Sequence, residues 1–273
     1  MEENDRFTNQ RGLIDQNKLS KTRFVVVGAG AIGSFFVTSL SKMGAKDIFV
    51  YDFDTLEDHN FANQMYPVSQ LGKAKVDALE VVASDYGDCK IRKYRGPWTP
   101  DSARLHGSIP AVDILQQDTL VISAVDNMGV RSSLWNYYKD SCDLFIDGRM
   151  SALCYKVFAI DTKNEADRLM YQESLHSQAV AEKEPCGEKS IIFTVLHVAS
   201  QMLNMVWKYL NGHYRPTLVI YDAFNDSLRT THTMKQELET FTYIEEDEKE
   251  TRQIKIDEII DGTKSQVVLS NLL

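Results

Sequence analysis

The sequence predicts an α/β fold: a doubly wound, mainly parallel sheet with helices on both faces and antiparallel strands toward the C-terminal side. Two observations carry this expectation. Phe24–Gln64 reads strand, glycine turn, helix, strand, acid, the order of a nucleotide-binding βαβ unit. Two later apolar runs, Thr119–Ala124 and Leu144–Asp147, read as buried strands, and Tyr155–Ile160 starts an antiparallel extension.

Taken in order, residues 1–22 are polar and helix-compatible. Phe24–Val27 is a short apolar run, rich in valine, that breaks into Gly28-Ala29-Gly30-Ala31-Ile32-Gly33. In this pattern Gly28 permits the tight turn, Gly30 lets a phosphate approach the backbone, and Gly33 lets the helix pack on the strand. The following helix offers unpaired N–H groups to an anion at its start, continues through Phe36, Leu40 and Met43, and ends at Gly44. A second strand, Ile48–Tyr51, leads to Asp52, placed where a carboxylate accepts from ribose hydroxyls. This first half is therefore Rossmann-like.

Beyond it, Gly72–Ser84 has helical periodicity with Val76, Leu79 and Ala83 inward, and Lys75 in its first turn. Lys90–Tyr94 is a third strand, and Gly96–Gln117 is irregular and proline-punctuated. The Thr119–Ala124 strand ends in Val125-Asp126-Asn127, ahead of a helix that holds Arg131. A carboxylate at the C-terminal end of a parallel strand faces the ligand crevice. Residues 163–187 are polar with little periodicity and read as a mobile crossover loop before a Ser190–Leu210 helix. Strands over Thr217–Tyr221 and Arg229–His232 close the first domain, 1–234, and an acidic extension, 235–273, contains the run EEDEKE.

Composition narrows the classes. The chain has 273 residues, 43% of them hydrophobic, and a net charge of −9. That length supports a sizeable core, and that charge argues against a general nucleic-acid or membrane-surface binder. MEENDRFTNQ has no apolar signal-like region, so a cytoplasmic location is expected. Ile191–Leu210 is apolar around much of its circumference but is broken by His197, Gln201, Asn204 and Lys208. It reads as a buried or dimer-interface helix rather than a membrane span, and a homodimer is expected. The four cysteines, 89, 142, 154 and 186, form no C-x-x-C pair, so no structural zinc is expected.

Past Asp52 the loop carries more than one acid. Asp52-Phe53-Asp54, then Asn60 and Gln64, then Gly72-Lys73-Ala74-Lys75 stand in the order D-x-D, N-x-x-x-Q, G-x-x-K. This resembles the ThiF/MoeB/HesA family of ubiquitin-activating-like adenylyltransferases over about residues 6–233. The resemblance implies ATP and Mg²⁺ as cofactors and adenylylation of the C-terminal carboxylate of a ubiquitin-like or sulfur-carrier protein. It places the nucleotide against Gly28, Gly30, Ala31, Gly33, Asp52, Asp54, Asn60, Gln64, Lys75, Asp126 and Asn127. Asp126 would hold the metal, and Lys75 and Arg131 would hold the triphosphate. Two departures stand out. The family's R-Y-x-R-Q segment reads Arg6-Phe7-Thr8-Asn9-Gln10, with Arg11 next, and its N-x-x-R-Q motif reads Asn60-Phe61-Ala62-Asn63-Gln64. Two expected arginines are thus asparagines, leaving Arg6, Arg11 or Arg149 to compensate.

Cys186 lies between Lys183 and Lys189, just before a helix start, and nearby cations and helix N-termini lower a thiol's pKa. Some family members carry a cysteine in this region that takes the activated carboxylate as a thioester. Two rival readings are a non-catalytic binding subunit and an NAD-dependent oxidoreductase. The second gives no reason for Asn60, Gln64, Lys75 and Asp126 in this order.

Overall fold

In a computed structural model, residues 5–108, 117–175, 190–233, 242–244 and 251–253 are described. The chain divides into a compact unit, Met1–Thr233, and a smaller one, Met234–Leu273. In the smaller unit, β9 (Thr242–Ile244) pairs antiparallel with β10 (Thr251–Gln253), flanking the acidic run.

The larger unit is built on one eight-stranded sheet. Its strands are β1 (Arg23–Val27), β2 (Asp47–Asp52), β3 (Arg92–Arg95), β4 (Thr119–Ser123), β5 (Leu144–Ser151), β6 (Cys154–Asp161), β7 (Leu218–Asp222) and β8 (Ser227–Thr231). They lie in the order β3-β2-β1-β4-β5-β6-β7-β8. The five strands from β3 to β5 are parallel, and β6, β7 and β8 each pair antiparallel with their predecessor. Only Ala152 and Leu153 separate β5 from β6, far too short for the crossover a parallel pair needs. The order reverses between β1 and β4, and at such a switch point ligands bind beyond the strand C-termini.

Both faces of the parallel strands are covered, which explains their unbroken apolar runs. Phe24, Val26, Ile48, Val50, Leu120 and Ile122 face α2 (Ala31–Met43), α3 (Lys75–Gly87) and α7 (Ile192–Leu210). Val25, Val27, Phe49, Tyr51, Val121 and Phe145 face α4 (Pro100–Leu105), α5 (Met128–Tyr138) and α6 (Glu165–Glu173). A short α1 (Gln16–Lys21) precedes β1, capped by Asp15. Among the described residues no helix is long and apolar enough to cross a membrane.

Two stretches read as irregular contain helices. Within 96–117, α4 starts at a Thr99–Ser102 capping box with Pro100 in its first turn. Within the crossover, Glu165–Glu173 is α6, capped by the Asn164 side chain. Its inward residues are Asp167 and Tyr171. A carboxylate at an inward position erases the apolar period on which sequence reading depends. The Asp167 carboxylate accepts from Asp161 N–H (3.0 Å) and Thr217 Oγ1 (2.9 Å), so α6 is tied to β6 and to the chain just before β7 by hydrogen bonds as well as by the packing of Tyr171 on Phe145 and Phe158. The remainder of the crossover, 176–189, lies outside the described residues.

Candidate active site

The glycine turn between β1 and α2 is shaped by contacts that admit no side chain. Gly28 has φ +99°, and a Cβ there would meet the Ala124 carbonyl oxygen at 2.4 Å. A Cβ on Gly33 would lie 1.9 Å from the Gly28 carbonyl oxygen. Gly30 differs: nothing lies within 4 Å of its Cβ direction, so the backbone there is open to a ligand. Ala31 is the first residue of α2, whose opening N–H groups lack intrahelical partners. The Tyr66 hydroxyl closes the turn from the side by donating to the Ala29 carbonyl (2.5 Å).

Asp52 holds this turn. Its Oδ2 accepts from Ala29 N–H at 2.7 Å and its Oδ1 from Asp54 N–H at 2.8 Å. Burial raises its pKa above the usual carboxylate value, against those two N–H donors and nearby Lys75. Lys75, the first residue of α3, is buried, and its Nζ donates to Asp54 Oδ2 at 2.7 Å. Asp52, Asp54 and Lys75 therefore form one cluster beside the glycine turn.

Asn60 and Gln64 sit in the connecting loop. The Asn60 Oδ1 accepts from Glu57 N–H (2.9 Å) and so shapes the 3₁₀ turn Asp58–Ala62. This oxygen folds the loop, whereas the sequence reading gives the residue to the nucleotide. The Gln64 Oε1 is a buried acceptor with no donor among the described residues, a costly state that a ligand N–H or O–H would relieve. Asn63 donates to the Ser190 hydroxyl, which joins this loop to the residue where the described chain resumes after the crossover.

At the end of β4, Ala124 N–H donates to the Val27 carbonyl (2.9 Å), bringing this end against the glycine turn. Two residues on, Asp126 is exposed. Asn127 caps α5, accepting from Val130 N–H at 3.1 Å. Arg131 departs from expectation. It is buried, with Nε on Asp147 Oδ1 (3.0 Å) and Nη2 on the Val125 and Gly148 carbonyls. Its guanidinium is turned into the protein and is not available to a triphosphate.

Asp147, midway along β5 and in register with Ser123 at the end of β4, is the centre of that buried group. Its Oδ2 accepts from Arg149 Nε at 2.6 Å and from the Tyr171 hydroxyl at 3.1 Å. Burial alone would raise its pKa, but the Arg131 and Arg149 guanidiniums outweigh it and hold the carboxyl below its ordinary value. Arg149 is spent as well: it also donates to the carbonyl and hydroxyl of Ser174, both at 3.0 Å.

Arg6 lies at the wrong end of the sheet for this chain's own site. It pairs with Asp88 at 3.2 Å, just past α3 and ahead of β3, where the strands begin rather than end. Arg11 is exposed in the turn ahead of α1, its N–H on the Thr8 carbonyl. Cys186 lies outside the described residues, and of the other cysteines Cys89 and Cys142 are buried. Sequence reasoning missed Tyr66, Ser190, Asp147 and Tyr171, since an isolated tyrosine, serine or strand-end aspartate carries no spacing signal.

Comparison with known proteins agrees with this architecture. E. coli MccB, solved with ATP, superimposes with a TM-score of 0.65 over 84% of this chain and 72% of its own, at 14% identity. PaaA gives a TM-score of 0.62 over 80% and 74%, at 18% identity. In sequence, the probable adenylyltransferase/sulfurtransferase MoeZ of Mycobacterium tuberculosis is 25% identical over 44% of this chain and 29% of its own length. The adenylyltransferase and sulfurtransferase MOCS3 of Culex quinquefasciatus is 30% identical over 49% and 28%. The chain thus spans about three tenths of the length of these relatives. The ThiF family matches residues 5–242, nearly the whole chain, and the chain belongs to that family.

Proposed function

We propose that this protein is an adenylyltransferase that transfers AMP from ATP to the terminal carboxylate of a small protein or peptide. A carboxylate oxygen attacks the α-phosphorus, the bond to the bridging oxygen breaks, and pyrophosphate leaves. The observation that carries this reading is the cluster of Asp52, Asp54 and buried Lys75 beside a glycine turn left open at Gly30. A dinucleotide site needs only the first of these acids. A lysine at the start of α3 supplies an ammonium where phosphate charge develops.

Asp126 would hold Mg²⁺ together with the phosphates, since magnesium is commonly bound by one or two carboxylates plus substrate oxygens. Bound there, the ion neutralises the charge of the leaving pyrophosphate. Gln64 Oε1, buried and unsatisfied among the described residues, would accept from the nucleotide.

The partner proposed is the ubiquitin-like or sulfur-carrier protein that the sequence motifs imply, in keeping with the adenylyltransferase and sulfurtransferase names of the relatives. A homodimer is proposed because α7 leaves Ile192, Phe193 and Leu196 more than two-fifths exposed on its outer face. Arg6 and Arg11 would then reach phosphates only from a second copy. Transfer of the acyl group to the Cys186 thiolate, forming a thioester and releasing AMP, would follow adenylylation.

One observation favours a second reading, a binding subunit without catalysis. The Arg149 guanidinium is committed to Asp147 and Arg6 pairs with Asp88, so within one chain neither replaces the arginines absent at Asn9 and Asn63. Calorimetry separates these readings from a dehydrogenase. ATP with Mg²⁺ should bind at micromolar concentration and NAD far more weakly. Micromolar NAD binding without ATP binding would overturn both ThiF-type readings.

A further inference from the structure

We infer that Asp147 and Arg131 are positioning residues that set the backbone carrying Asp126 and link it to helix α6. The inference rests on the adenylyltransferase reading only for what Asp126 does there.

The chain of contacts is continuous. Asp147 is wholly buried and offers two carboxylate oxygens. Oδ1 takes Arg131 Nε at 3.0 Å, and the same guanidinium donates through Nη2 to the Val125 carbonyl. Val125 immediately precedes Asp126. On its other side Asn127 is fixed as the cap of α5. Asp126 is therefore an exposed residue between two anchored neighbours, which is how a short loop holds a carboxylate still. The other carboxylate oxygen takes Arg149 and the Tyr171 hydroxyl of α6. Arg149 also grips Ser174, which ends α6, and Trp135 of α5 donates to Gln172 at 2.9 Å. The β4–α5 loop and the start of the crossover are thus joined through one carboxylate.

A bland structural ion pair would not need this geometry. The Arg131 fork presents separate nitrogens to a carboxylate and to a backbone carbonyl, whereas lysine gathers its three donors on one nitrogen at the end of a flexible stem and lacks the rigid plane that fixes both acceptors. Arg131→Lys keeps the charge that Asp147 requires, so the fold should survive, while the hold on Val125 is lost.

The experiment uses the full chain without nucleotide first. Amide hydrogen exchange of Asp126–Val130 in Arg131→Lys should quicken about tenfold or more over wild type, on the scale of one lost charged-donor hydrogen bond. Amides of β1 and β4 should stay unchanged. With ATP, Mg²⁺ and small carrier proteins or peptides that end in a free carboxylate, the turnover of pyrophosphate exchange should fall by a similar factor while KM for ATP stays within about threefold, the signature of misplacement rather than lost binding. Tyr171→Phe, which removes only a hydroxyl, should give a smaller change of the same kind. Unchanged exchange at Asp126–Val130 overturns the inference, and so does a uniform rise across the sheet, which marks plain destabilisation. If wild type exchanges no pyrophosphate with any of these carboxylates, the adenylyltransferase reading fails, and the amide measurement on the nucleotide-free protein still decides the positioning role.

Discussion

Asp147→Ala is expected to destabilise the protein by about 3–5 kcal/mol, the usual result of stripping the partner from buried cations. Against a total stability of roughly 5–15 kcal/mol, that brings a domain close to unfolding at moderate temperature. The Asp147 side chain is fully buried and is the carboxylate partner of both Arg131 and Arg149, so its loss leaves two guanidiniums without a counter-charge. The pH dependence has a definite sign. The folded-state pKa of Asp147 is held below its ordinary value, so the folded state binds this proton less readily than the unfolded chain. Its contribution to stability is fully present above the ordinary carboxylate pKa and is lost as pH falls through the depressed folded value. Urea midpoints for wild type should therefore drop on acidification, and Asp147→Asn should show a lower plateau at neutral pH with a shallower acid limb. An acid limb of unchanged steepness in Asp147→Asn would assign the pH dependence to other carboxylates, such as Asp77, which Lys93 and Arg95 also hold low against its own desolvation.

Asp126→Ala should have the opposite profile. The residue is exposed and its neighbours are anchored by other groups, so the melting temperature should scarcely move. Pyrophosphate exchange should fall by about two to three orders of magnitude or more, the scale of one lost charge-stabilising group in a transition state. The contrast is the useful part. Two aspartates on adjacent parallel strands, one just beyond β4 and one midway along β5, are expected to separate cleanly into one that affects chemistry without stability and one that affects stability first. Exchange at the wild-type rate in Asp126→Ala would move the metal site elsewhere.

The sequence makes the first βαβ unit legible because its constraints are local. Gly28 and Gly33 face backbone at distances no side chain tolerates, while Asp52, assigned in the sequence to ribose hydroxyls, accepts from the Ala29 N–H of the turn. The antiparallel extension is legible too, since β5 and β6 stand too close in sequence to pair otherwise. The interior of the site is not. Arg131 and Asp147 are 16 residues apart and Tyr171 is 24 beyond Asp147, so no spacing rule links them, and the triphosphate role of Arg131 rests on the family resemblance alone. Helix α6 is hidden because Asp167 points inward. Arg6 precedes β1 by 17 positions and pairs with Asp88 at the far end of the sheet from the glycine turn, a placement that closeness in sequence does not reveal.

The most direct measurement is ATP–pyrophosphate exchange by the full chain with Mg²⁺. It is run against small carrier proteins and peptides that end in a free carboxylate, and against the same molecules amidated at the C-terminus. The account predicts exchange that needs the free carboxylate, vanishes on amidation and is lost in Asp126→Ala. Tight ATP binding with no exchange for any free carboxylate would contradict it and leave a nucleotide-binding subunit in its place.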